Sequence, residues 1–251
     1  LRDRCMGTLY WQLNDVWPAA SWSSLDYDGS WKLLHYEARR FYDPIIVALY
    51  VKDGVAYAVG VNDTDKQLYG VLSMRIRRFD GSLVMDIDTD GDLPPGASTL
   101  LWKAHISDLP CKPEEVYLVA RLEASQRGRL PETPALVFGV PSRSGGKAEV
   151  VRRHQLFLVE PKRCSLADPR LESEFVDEAE GPVLVIKVRA PAFFVTAETD
   201  GAKGRWDDAG FYMMGREERR LRYLPAPGEA VPKAEDLAKT TRITNLRASY
   251  D

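Results

Sequence analysis

The run ALYVK, then Asp53-Gly54, then VAYAVGV constrains this chain more than any other stretch. Apolar side chains alternate along both arms, and an Asp-Gly pair accepts the positive φ angles of a two-residue hairpin turn at little steric cost. Further strand-like runs follow at residues 69–76, 83–87, 99–105, 116–122 and 155–159. Short strands at this density predict a β-sandwich. A second set follows Ala167-Asp168-Pro169, at 183–188, 193–198, 211–214, 219–224 and 242–246. Its length suits another small sandwich.

The opening residues have a different texture. Residues 8–13 are a short apolar, aromatic run that suits a buried strand and stops at the turn-forming Asn14-Asp15. From Ser30 the spacing becomes helical: Trp31, Leu34, Ala38 and Phe41 recur on one face, Ser30 can cap the N-terminus, and Pro44 disfavours helix at Asp43. The expected division is therefore strand, loop and helix over 1–43, a sandwich over 44–166, and a second sandwich over 167–251. The Pro- and Gly-rich stretch 130–146 reads as an excursion within the first sandwich.

Charge excludes several classes of function. Thirty-four basic against 37 acidic residues give −3, and no Lys/Arg cluster is interleaved with aromatics, so no nucleic-acid partner is expected. No window of about 18 uninterrupted apolar residues exists, so neither a spanning helix nor a membrane partner is expected. Cys5, Cys111 and Cys164 form no C-x-x-C, and the odd count argues against a disulfide framework, with a Cys111–Cys164 bridge left open. A start at Leu-Arg-Asp-Arg, without initiator Met or signal peptide, reads as part of something longer.

Most residues that invite a chemical role have a plainer reading. Asp86, Asp88 and Asp90 before Gly91 match the start of a calcium loop, but its twelfth position is Ala97 where a bidentate Glu is required, leaving a solvated acidic loop. His35, His105 and His154 have no ligand-like spacing, so no metal or other cofactor is expected. Asn62-Asp63-Thr64 is a formal glycosylation sequon, meaningful only in a secreted or lysosomal setting. Arg152-Arg153 and Arg219-Arg220 read as charged strand edges.

GTLYWQLNDVWPAASW, residues 7–22, is different: it holds three of the six tryptophans around one Asn-Asp pair. Aromatic rings stack on the C–H faces of sugars while Asn, Asp and Gln bond hydroxyls at the rim, so Trp11, Gln12, Asn14, Asp15 and Trp17 have the composition of a carbohydrate site. The competing reading makes the tryptophans core. Strand, loop and helix in this order also describe one βα unit of a (β/α)8 barrel, whose chemistry lies at the C-terminal ends of its strands.

These residues carry a family resemblance. GTLYWQLNDVWPAASWSSLDYDGSWKLLHYEARRFYDP resembles the last βα unit of the catalytic barrel in the β-mannosidases of glycoside hydrolase family 2. GRWDDAGF at 204–211 and ITNLRASY at 243–250 are similar to markers of the two immunoglobulin-like sandwiches that follow that barrel. The resemblance implies a mainly β chain, comprising the end of a barrel and two immunoglobulin-like domains of a retaining exo-β-mannosidase. Its partners would be a β-mannoside oligosaccharide and the remainder of the barrel. Retaining glycosidases use two carboxyl groups about 5 Å apart, and the family's two Glu residues would precede Leu1. No catalytic residue is therefore expected here. Glu174 in ESEFVDE only superficially matches the family's nucleophile strand. The alternatives are another family 2 glycosidase, such as an exo-β-glucosaminidase, or a non-enzymatic β-sandwich that binds glycans or protein.

Overall fold

The computed structural model describes residues 7–126, 136–137, 140–141 and 150–250. Strand makes up 49% and helix 13%, so the chain is mainly β, as its patterning predicts. It divides into two compact units. One runs from Asp43 to Leu166; the other joins the residues up to Tyr42 to those from Ala167 onward.

The first unit contains β1 (Ile45–Lys52), β2 (Val55–Asn62), β3 (Leu68–Arg78), β4 (Leu83–Leu93), β5 (Ala97–His105), β6 (Val116–Ser125), the short pair β7 (Leu136–Val137) and β8 (Val140–Pro141), and β9 (Val150–Phe157). Antiparallel sheets β1-β2-β5 and β4-β3-β6-β9 form its two layers. The β1–β2 turn falls at Asp53-Gly54, with φ of +51° and +74° as a two-residue hairpin of this hand needs. Alternation does the rest: Ala56 and Ala58 of β2 point inward beside Val47 and Leu49 of β1, facing Leu72, Met74 and Ile76 of β3 and Leu118 and Leu122 of β6. Each large aliphatic side chain in this layer removes roughly 1.5–3 kcal/mol worth of apolar surface from water. Leu93 wedges so close to Gly60 and Gly70 that a Cβ at either would lie 2.7 or 2.8 Å from it.

Several expectations change here. Residues 86–90 are not a solvated loop but part of strand β4, where Asp86 pairs with Arg75 at 3.2 Å and Asp90 accepts the Tyr69 hydroxyl proton. Asn62 is fully buried. Its amide donates to the Lys66 and Leu93 carbonyls at 2.8 Å each, while its oxygen accepts from Thr64. The sequon is thus a buried turn lock. Cys111 and Cys164 are free thiols, and burial raises the Cys164 pKa. Cys5 and most of the 130–146 excursion lie outside the described residues.

The second unit contains helix α1 (Leu33–Phe41), β10 (Glu172–Glu178), β11 (Gly181–Lys187), β12 (Ala192–Thr199), β13 (Gly204–Trp206), β14 (Phe211–Met213), β15 (Glu218–Pro225), α2 (Ala234–Thr240) and β16 (Thr241–Thr244). Sheets β10-β11-β15-β13 and β14-β12-β16 enclose Leu184, Ile186, Val195, Trp206, Phe211, Met213 and Tyr223. The sequence pattern marks neither β10, β13 nor α2. Five of the seven residues in β10 are polar, β13 spans three residues, and α2 is seven residues long, so none shows a full apolar period. Arg219 and Arg220 lie where β15 pairs with β11 on one side only, ahead of residues 223–225 that pair with β13, so this stretch is a local edge. Arg152 sits on the edge strand β9, where it pairs with Asp43 and donates from Nε to the Ile45 carbonyl at 2.9 Å.

Candidate functional site

Residues 8–13 are not a strand. Among the described residues no strand lies beside them, and a strand needs neighbours to bond its backbone N–H and C=O groups. The segment instead folds back on its own loop. The Leu25 amide donates to the Leu13 carbonyl at 2.9 Å, the Ser24 amide to the same carbonyl at 3.1 Å, and the Asp15 amide to the Leu25 carbonyl at 3.1 Å. Single bridges join Asn14 to Leu25 and Leu25 to Trp31. The Trp11–Gln12 peptide bond is cis.

Asp15 is the polar centre of this loop and is buried. Its carboxylate accepts from the Ser21 hydroxyl, from the Ser23 hydroxyl at 2.7 Å and from Lys32 Nζ at 2.6 Å. Those three donors favour the ionised form, Lys32 most, and lower its pKa to about 2. Lys32 also donates to the Ser23 hydroxyl at 2.8 Å and stands at the N-cap of α1. The helix therefore starts two residues later than Ser30, whose amide is taken by Asp28 and whose carbonyl accepts from Asp26 in a separate turn. One turn into α1, His35 Nδ1 lies 3.0 Å from the Ser24 hydroxyl, itself 2.9 Å from the Tyr10 hydroxyl.

The tryptophans stand on the outside of this tether. Trp11, Trp17 and Trp22 are 78%, 67% and 76% exposed, so none is core within this chain. Gln12 turns its amide onto the Asn14 carbonyl at 2.9 Å, and Asn14 donates to the Asp15 carbonyl at 3.0 Å. Trp11, Gln12, Asn14 and Trp17 are thus gathered around a loop that Asp15 holds from beneath. Asp15 itself has its oxygens occupied by the chain and serves as an anchor.

Residues 55–162 match the family of mannosidase Ig/CBM-like domains, and residues 166–249 match an Ig-fold domain family of mannosidases. The mouse β-mannosidase is 29% identical over 252 residues, covering 99% of this chain and 26% of that protein. The chain belongs, over residues 55–162 and 166–249, to the two mannosidase Ig-like domain families. It spans about a quarter of the length of such curated relatives. Its fold is similar to a Dictyoglomus thermophilum β-D-mannosidase, with a TM-score of 0.66, 19% identity, and coverage of 94% of this chain and 25% of that one. An Amycolatopsis orientalis exo-chitosanase shares the fold at a TM-score of 0.54 and 15% identity, covering 94% and 29%.

Within this chain, sequence spacing missed the residues that hold α1 in place. Tyr36 is buried and donates to the Trp206 carbonyl at 2.9 Å. Asp208 accepts from Arg39 at 3.3 Å, and also from Arg40 and Arg219. Arg40 donates further to the Ala209 carbonyl at 2.7 Å, and the Arg205 guanidinium stacks 4.0 Å over Trp31. All five sandwich residues but Arg219 belong to GRWDDAGF, so the available signal was that motif and not periodicity.

Proposed function

We propose that this chain is the C-terminal part of a retaining exo-β-mannosidase of family 2, contributing one wall of the sugar pocket and a double-sandwich scaffold. Residues 1–43 supply the last βα segment of the barrel, 44–166 and 167–251 the two immunoglobulin-like domains. The upstream barrel, as partner, carries both catalytic carboxylates. Trp11 and Trp17 form the aromatic wall for a terminal β-mannose, Gln12 and Asn14 meet its hydroxyls or orient the carboxylates, and Asp15 fixes the loop.

The observation that carries this reading is the combination of exposed rings and a rigid polar tether. Large aromatic side chains left in water are costly unless something apolar covers them, and sugar C–H faces are such a surface. A free-standing sandwich module would have no use for this segment. The test is Trp11→Ala in the complete enzyme, assayed on an aryl β-mannoside beside an aryl β-glucosaminide. A drop in kcat/KM of about tenfold to a thousandfold, with folding retained, is expected. Unchanged kinetics sinks the sugar wall, and preference for the glucosaminide replaces the substrate with that of the rival family 2 activity.

A further inference from the structure

The tryptophan loop and the C-terminal sandwich grip opposite ends of one short helix. The N-terminal end of α1 holds the loop: Lys32 donates to Asp15 and Ser23, and His35 bonds Ser24. Its later turns are held by the sandwich: Tyr36 bonds the Trp206 carbonyl, Arg39 the Asp207 carbonyl at 3.1 Å, and Arg40 and Arg39 the Asp208 carboxylate. Asp208 is in turn fixed by Arg219 of β15 and by the Ala209 amide at 2.9 Å. Its side chain is 13% exposed, so these pairs are screened from water more than surface ion pairs are.

We propose that Asp208 is a positioning residue for the tryptophan loop. Through Arg39 and Arg40 it sets the axial position and rotation of α1, and α1 carries that setting to Asp15 through Lys32. A helix is stiff along its axis, so a shift at Arg40 is delivered to Lys32 about 12 Å away. Glu37 reinforces the link, since it pairs with Arg40 on the helix, and burial raises its pKa. The tether is a property of this chain. Its consequence for turnover rests on the sugar-wall reading above.

Residues this far apart act independently unless something couples them; distant mutations add to within a few tenths of a kcal/mol. A double-mutant cycle in the complete protein therefore tests the link. The variants are Asp208→Asn, Lys32→Met, the double mutant, and Arg40→Gln, which removes one of the two helix arginines on Asp208 while leaving Asp208 paired with Arg39 and Arg219. Hydrogen exchange at the Asp15, Ser24 and Leu25 amides reads the loop, and exchange at the β11 amides reads the sandwich. Each single variant is expected to speed loop exchange by about tenfold, with β11 unchanged, and the double mutant to go no faster than the faster single. Loop exchange that stays at the parental rate in Asp208→Asn and Arg40→Gln overturns the proposal. So does a rise shared equally by β11, which would mean general loss of stability, or single effects that multiply in the double mutant. In kcat/KM the same non-additivity is expected. If Trp11→Ala leaves kinetics untouched, the sugar wall fails while the exchange result still decides the tether.

Discussion

Asp15 keeps its charge because Lys32 and two serine hydroxyls donate to it, and this gives the loop a pH signature. Its pKa falls from 3.8 to about 2 on folding, so the folded state binds the proton less readily than the unfolded one. The tether is therefore complete above about pH 4 and is lost as pH falls toward 2. Tryptophan fluorescence and loop amide exchange, followed from pH 5 to pH 2, should loosen in that window. Asp15→Asn should remove the acid step. Asn62 allows a second residue-scale prediction. With both amide protons and its oxygen committed inside the fold, it should carry no glycan in the folded protein, checked by intact mass before and after deglycosylation. Asn62→Ala should cost about 1–3 kcal/mol, read from the denaturation midpoint, because the buried Leu93 carbonyl loses its donor and the part-buried bond to Lys66 is lost with it.

At the scale of elements, α1 shows how context moves a boundary. Ser30 has cap chemistry, yet its amide and carbonyl are spent in the Asp26–Ser30 turn, and the helix begins after Lys32 with no side-chain cap. Helical spacing pointed to Trp31, Leu34, Ala38 and Phe41 as the packed face, whereas Tyr36 and Ala38 are the buried residues and Phe41 is exposed. The helix packs where GRWDDAGF meets it. Tyr36→Phe should lower stability by about 1 kcal/mol through the lost bond to the Trp206 carbonyl. The start of β13 is less forgiving. A Cβ at Gly204 would lie 2.6 Å from the Leu224 carbonyl oxygen and 2.7 Å from the Tyr223 hydroxyl, and backbone on the partner strand cannot rotate away. Gly204→Ala should therefore destabilise by about 1–3 kcal/mol, and thermal unfolding of the two variants side by side should rank it the worse.

For the whole molecule, the proposed division of labour predicts that this chain alone hydrolyses no aryl β-mannoside, because the required carboxylate pair is expected upstream. Glu174 is exposed on edge strand β10, opposite Val185, so Glu174→Gln should leave the activity of the complete enzyme unchanged. Loss of activity in that variant would restore Glu174 as a catalytic candidate. Period-two alternation and the Asp53-Gly54 turn were enough to specify most strands of both sandwiches, since side-chain direction and hairpin register are local properties of the backbone. The clustering of aromatics with amides at residues 11–17 was likewise legible, because composition is local. Whether those rings were core or surface was not, since burial depends on what packs above them. Residues 8–13 read as a strand but do not form one, since pairing is made by neighbours and not by the strand's own residues. Only the folded chain placed Asp208 against Arg39 and Arg40, about 170 positions away in sequence, and closed Lys32 over Asp15. Contacts that join distant parts of a chain leave no periodic trace in either partner, so tertiary structure alone decided them.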